Sequence, residues 1–222
     1  MNSISINVNG SQMEIPLRAL PKSFVHWQCS GRIRSLKRIL AGGDPGGFGP
    51  HLPVMTTRGS YQPFPVSAAA KGVGLLPRED LLAERTAHFQ KLIAEGLAKG
   101  WEESLAMRVQ ALIDFYKAED ELDVYKIGSL ELYGKRTYQN IQHDPRACLL
   151  YVDLENGGLS YMVNCVTKIV SAEDPYYQFE KSAHDMFHQP SKKERHIPAG
   201  YIFYVSEVYN KTPGKNAGER IV

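Results

Sequence analysis

An α+β fold organised around a small antiparallel barrel with attached helices is predicted by three observations. The chain opens with period-two alternation, Ile4, Ile6 and Val8 against Ser5 and Asn7. Its middle carries two stretches of helical period, at residues 78–99 and 102–118. After Asp123 it becomes rich in β-branched and aromatic runs, two of them joined by the hairpin-type turn Asn156-Gly157-Gly158.

The opening alternation ends at Asn9-Gly10, a turn that lets a hairpin continue through Met13 and Ile15. Residues 30–40 read as a short basic amphipathic helix. Ile33, Leu36, Ile39 and Leu40 form its apolar face, and Arg32, Arg34, Lys37 and Arg38 are expected on a solvated charged face. Residues 41–50 hold five glycines and two prolines and form a loop or linker. They are not a dinucleotide fingerprint, because no helix follows directly. Residues 52–73 fit two strands around Arg58-Gly59-Ser60, with Pro63 and Pro65 demoting part of the stretch to an edge.

In the helical middle, Leu82, Phe89, Leu92, Ile93 and Leu97 mark one helix, and Leu105, Val109, Leu112, Ile113 and Tyr116 mark the next. The short Gly100-Trp101 connection makes them an antiparallel hairpin. Further strands are expected at 124–132, 147–153, 159–171 and 201–209, a helix at 175–187, and a polar loop at 189–198. The expected organisation is therefore an N-terminal extension, residues 1–50, and a barrel domain, residues 51–222, interrupted by a helical insertion at about 78–118.

Bulk properties narrow the function. The chain has 222 residues, is 43% hydrophobic and 23% charged, and carries a net charge of +2, too balanced to argue a nucleic-acid partner. No apolar run approaches membrane-spanning length, and the first residues lack the basic start and apolar core of a signal peptide. Three cysteines without a CxxC pair fit a reducing compartment, so a cytoplasmic protein is expected.

Residues 130–152, LELYGKRTYQNIQHDPRACLLYV, carry the most chemical information. A strand ends in Gly134, two cations (Lys135 and Arg136) and a hydroxyl (Thr137) open a short helix, and Asp144-Pro145 turns the chain into the next strand. Helix-start N–H groups backed by cations form a cradle for a phosphate.

The order of elements around this turn resembles the pyridoxamine 5′-phosphate oxidase-like FMN-binding split β-barrel, whose relatives include flavin reductases. The resemblance rests on Gly134-Lys135-Arg136, the helix of residues 137–143, Asp144-Pro145-Arg146, the strand 147–152, the hairpin 156–158 and the long strand 159–171. The C-terminal IPAGYIFYVSEVYNKTPGKNAG matches a closing strand and tail. The two long helices depart from the family, which normally has a short hairpin at that point. The resemblance implies a homodimeric, FMN-dependent oxidoreductase acting on a small molecule. It implies that Lys135 and Arg136 bind the FMN phosphate, with Thr137 adding a hydroxyl. It also implies that the strand of Lys126 and Ser129 passes near the flavin, and that Ser160 and Tyr161 approach it from the partner subunit. A non-catalytic split-barrel binding or assembly protein is the alternative, with the helical hairpin and the basic helix as partner surfaces.

Other constellations are weaker. His184 and His188 lie four apart, a spacing that puts both on one helix face and can bind a metal, with His196 as a third candidate. The motif is not HExxH, and a structural helix is the simpler reading. Haem is a remote alternative cofactor, because some split-barrel relatives bind it through a histidine near the C-terminus. His143-Asp144 is read as part of the turn before Pro145 and not as a catalytic dyad. No catalytic acid or base is assigned.

Overall fold

The structure is a computed structural model that describes residues 3–46, 49–190 and 197–222. Its strands are β1 (Ser3–Val8), β2 (Ser11–Pro16), β3 (Val54–Arg58), β4 (Val66–Ala70), β5 (Val73–Pro77), β6 (Leu122–Glu131), β7 (Arg146–Asp153), β8 (Leu159–Val170) and β9 (Ala199–Asn210). Helices α1 (Lys22–Leu40), α2 (Leu82–Lys99), α3 (Leu105–Lys117), α4 (Arg136–His143) and α5 (Pro175–Asp185) lie between them.

The fold is α+β. Strands β3 to β9 form one antiparallel sheet in the order β4-β3-β7-β8-β9-β6-β5, and β1-β2 form a separate hairpin. The α2–α3 pair stands between β5 and β6, where the sequence places its helical insertion. The β6–β9 strands fall within two residues of their expected bounds. β5 was not anticipated: Val-Gly-Leu-Leu-Pro shows no alternation because nearly all of it is buried. Its pairing with β6 shifts register between Leu75 and Pro77, where proline has no N–H to donate.

The basic helix begins eight residues earlier than expected. Its first half, Phe24, Val25, Trp27 and Cys29, is buried and belongs to the same apolar core as the sheet. Phe24 and Trp27 meet Tyr151 of β7 and Tyr161 of β8 edge-on or tilted, with ring centroids 5.2–5.8 Å apart. Such aromatic pairs add roughly 0.5–1.5 kcal/mol each beyond area burial. The indole N–H of Trp27 donates to Asp153 Oδ2 at 2.9 Å, which ties α1 to the end of β7. The β1–β2 hairpin instead places Ile6 and Val8 on Val166 and Tyr204, covering part of the opposite face of β8–β9.

Arg108 pins the helical layer together. It is fully buried, stacks 3.5 Å over Trp101, and donates to the Trp101 and Met186 carbonyls and to Ser104 Oγ. The Met186 carbonyl belongs to the residue that closes α5, so this guanidinium links the start of α3 to the end of α5. Arg108→Met keeps the apolar stem and leaves buried carbonyls unpaired. It is expected to cost about 2–4 kcal/mol, read as a lowered midpoint in urea denaturation with an unchanged slope.

Candidate functional site

The turn between β6 and α4 is held from beneath by one carboxylate. Glu131, the last residue of β6, is 1% exposed and accepts four hydrogen bonds. They come from Lys71 Nζ at 2.6 Å, Tyr201 Oη at 2.7 Å, and the backbone N–H groups of Tyr133 at 2.9 Å and Gly134 at 3.0 Å. Burial alone would raise this carboxyl, but the Lys71, Tyr201 and Tyr133 bonds outweigh it and hold Glu131 below the usual carboxylate range. The chain then leaves β6 through Gly134 at φ +61°, a left-handed conformation that glycine adopts without steric cost.

Lys135 is the N-cap of α4 and Arg136 its first residue; both are exposed, and Thr137 is half-buried. The Arg136 guanidinium lies 4.8 Å from the Tyr61 ring centroid and donates to the Phe64 carbonyl at 2.6 Å. Tyr61 is itself bonded to Gln139, so the cation is braced by the β3–β4 connection. Helix α4 is seated on β3 through Asn140 Nδ2 donating to Thr57 Oγ1 at 3.0 Å. The first N–H groups of a helix have no intrahelical partner. With two adjacent cations and one hydroxyl, this end of α4 has the donor set a phosphate monoester requires.

The remaining residues implied by the resemblance do not gather at this turn. Lys126 Nζ pairs with Glu79 at 3.1 Å and Asp123 at 3.5 Å and bonds to Tyr176. Burial works against its charge, but the Tyr176 and Glu79 bonds and nearby Asp123 hold its pKa above the usual lysine value. Ser129 is fully buried, its hydroxyl 3.3 Å from the Leu130 carbonyl. Ser160 donates to the Gly158 carbonyl at 2.8 Å and lies opposite Val152, on the outer face of β7–β8. Tyr161 faces the other way, into the Phe24–Trp27 cluster. Asp144 accepts from the Arg146 side chain and backbone, as a turn residue does.

A second concavity lies elsewhere. A cavity of about 370 Å³ opens between α1, α3, α5 and the end of β6, with Leu36, Leu112, Leu130 and Phe187 among its apolar walls. His184 and His188 both line it, their ring centroids 4.5 Å apart. His184 Nδ1 lies 3.1 Å from Asp185 Oδ1. Burial, and then His184, lowers the pKa of His188. Among the described residues, no group of three or more His, Cys, Asp or Glu is placed to hold a metal ion, and His196 lies outside them.

Two polar residues of this cavity escaped sequence reasoning. Arg32, expected on a solvated face, is 8% exposed and lines the cavity wall. Glu180 is equally buried, one turn before His184 on α5; His188, expected on the same helix face, lies beyond the end of α5 but still lines the cavity. The 180, 184 spacing was the available signal for that face.

No protein-family model matches the chain. No curated protein matches it. Among solved structures, it is similar to HupZ of Group A Streptococcus, at 15% identity and TM-score 0.42 over 76% of this chain and 90% of that one. It is also similar to a protein from Lactobacillus delbrueckii named for pyridoxamine 5′-phosphate oxidase, at 12% identity and TM-score 0.40 over 86% and 93%. A third is an FMN-binding protein from Syntrophomonas wolfei, at 9% identity and TM-score 0.41 over 87% and 92%. Solved structures described as pyridoxamine 5′-phosphate oxidase and FMN-binding proteins are therefore among those the chain is similar to. Among the described residues, no helix is long and apolar enough to cross a membrane.

Proposed function

We propose that the protein is an FMN-binding oxidoreductase of the pyridoxamine 5′-phosphate oxidase-like class, with the FMN phosphate held by Lys135, Arg136 and Thr137. The observation that carries this reading is the pre-organised turn. Glu131 fixes the backbone of Tyr133 and Gly134 before any ligand arrives, and Tyr61 and Phe64 brace Arg136. Ordering costs that binding would otherwise incur are met in the free protein. When bound, FMN supplies the hydride or electron transfer; the protein supplies anchoring, orientation and exclusion of water.

The site is completed by a second copy of the chain. An outer sheet face carries Val54, Val66, Leu150 and Val152, each 36–54% exposed. Val54 and Leu150 are register partners, and Val152 lies two residues along the same strand face, paired with the buried Ser160. Contiguous exposed apolar area of this kind marks an interaction surface. Docked face to face, two copies would bury these apolar side chains against each other, while Ser160 stays covered within its own chain by Thr212 and Gly158. Leu150→Glu is expected to give a monomer with strongly weakened flavin binding, checked by light scattering after gel filtration and by flavin content.

The direct test of the class is colour. Purified protein reconstituted with FMN should retain an absorbance band at about 450 nm through gel filtration, as flavoproteins do. Colourless protein after reconstitution would favour the non-catalytic alternative, and an intense Soret band on haem addition would favour haem.

A further inference from the structure

Among the described residues, the cavity between α1, α3 and α5 contains a buried cation with no buried anion in salt-bridge reach. All five N–H groups of Arg32 are engaged by neutral acceptors. Nε donates to Gln28 Oε1 at 3.3 Å, and Nη1 reaches Tyr116 Oη at 3.2 Å and His51 Nδ1 at 3.1 Å. Nη2 donates to the Pro50 carbonyl at 3.1 Å and to the Val73 carbonyl. Among the described residues, no carboxylate lies within salt-bridge distance of this guanidinium.

Among the described residues, the one carboxyl that lines the cavity is kept apart. Glu180 lies against β5 and β6 where Gly74 and Gly128 are register partners. A Cβ on Gly128 would come within 2.3 Å of Glu180 Oε1, and one on Gly74 within 3.2 Å, so the two glycines make the slot that holds the side chain. Buried there, Oε1 has no hydrogen-bond partner. Burial raises the Glu180 pKa to about 8, with Arg32 opposing the shift, so near neutrality the group is largely a neutral acid that can donate. His51 stays neutral, lowered to about 3 by burial and then by Arg32. Among the described residues, the cavity therefore combines a positive charge with no anionic partner, neutral donors and apolar walls, within the usual volume range of small-molecule sites.

We propose that this cavity binds a small organic monocarboxylate, its head group beside Arg32 and the Glu180 carboxyl and its apolar body against Leu36, Leu112, Leu130 and Phe187. Arg32 contributes charge and not bonds, because its donors are already used. An amine would enter beside an unopposed guanidinium, and an uncharged alcohol would leave that charge uncompensated. This goes beyond the flavin reading and does not depend on it, since none of these residues belongs to the Lys135–Thr137 turn.

The groups facing Glu180 across the cavity are Arg32 from α1, His51 from the segment before β3, and Tyr116 from α3; His184 follows it on α5 and His188 lies just beyond that helix. Burial raises the Tyr116 pKa, so that phenol stays neutral in mild alkali. As pH rises through about 8, Glu180 loses its proton, the donor disappears and its new charge repels the carboxylate. Affinity should fall over that interval.

The probes are octanoate, octylamine and octan-1-ol, titrated calorimetrically into the full chain at about pH 7.5 and about pH 9.5. Octanoate is expected to bind at least about tenfold more tightly than either analogue at the lower pH, and to lose about tenfold or more at the higher one. Glu180→Gln keeps a donor without a titrating proton; it should bind octanoate at the lower pH and show no such loss. Ala183→Phe fills the cavity and should abolish binding while cooperative thermal unfolding persists. Equal or tighter binding of octylamine, absence of octanoate binding, binding that survives Ala183→Phe, or a pH loss that persists in Glu180→Gln would each overturn the proposal.

Discussion

Replacing both Lys135 and Arg136 with alanine is expected to weaken FMN binding by roughly 100-fold or more, while the unfolding free energy stays within about 0.5 kcal/mol of the parent. Both side chains are exposed, so the core does not depend on them. Each hydrogen bond to a charged group contributes about 1.5–3 kcal/mol, and the loss of two exceeds the roughly 2.7 kcal/mol that a 100-fold change requires. Arg136 should account for the larger part. Its guanidinium is braced by Tyr61 and Phe64 and offers a fork, whereas Lys135 offers a point charge. Flavin affinity measured for the two single mutants and the double mutant separates these contributions. Unchanged affinity in the double mutant would place the phosphate elsewhere.

Glu131→Ala is expected to be more damaging, although Glu131 touches no ligand. Removing it strands the Lys71 ammonium, the Tyr201 hydroxyl and two backbone N–H groups, all of which converge on one carboxylate. Breaking a buried ion pair by deleting one partner costs about 3–5 kcal/mol. The turn loses its anchor at the same time, so flavin affinity should fall even where the mutant is still folded. Glu131→Gln keeps an acceptor without the charge and should recover part of the stability and most of the turn geometry. The pH dependence follows the same logic. Glu131 titrates below its unfolded value, so its stabilisation is present above that value and is lost as pH falls through the folded pKa.

Two other groups shape stability against pH. His51 is held neutral in the fold with a pKa of about 3, so the unfolded chain binds the extra proton as pH falls below the ordinary histidine value. Stability should decline between about pH 6.5 and 3, by as much as roughly 1.4 kcal/mol per pH unit. Glu180 has the opposite sign. Its folded pKa is raised, so stability falls as pH rises from the ordinary carboxylate range to about 8. Urea titrations of Glu180→Gln against the parent should diverge over that upper interval, with the mutant the flatter.

The parts of the fold legible in the sequence were those with a local signature. The β6–α4–β7 turn announces itself through glycine, paired cations and Asp-Pro. The α2–α3 pair follows from its period, although the connection runs from Gly100 to Ser104 and α3 starts three residues later than the expected residue 102. What stayed hidden depends on burial from several sides. The first half of α1 exposes only Lys22, Ser23 and His26, while Phe24, Val25, Trp27, Gln28 and Cys29 are all buried, so its apolar residues do not fall into a narrow helical stripe. β5 shows no alternation for the same reason. Arg32 and Glu180 are polar residues at buried positions, and charged side chains are seldom buried without a partner, so sequence reasoning leaves them on the surface. The candidate phosphate turn was thus visible as a string of residues, and its foundation, Glu131 with Lys71 and Tyr201, was not. Those three meet only through the pairing of β6 with β9 and the loop between β4 and β5.

The central claim is a phosphate held by the start of α4, and paired fluorescence titrations with FMN and riboflavin test it most directly. The two flavins share the ring system and differ only in the phosphate. The account predicts saturable binding of FMN at one flavin per chain, with riboflavin weaker by about 100-fold or more. That gap should close in the Lys135→Ala/Arg136→Ala protein. Equal affinity for both flavins, or no binding of either, would contradict it.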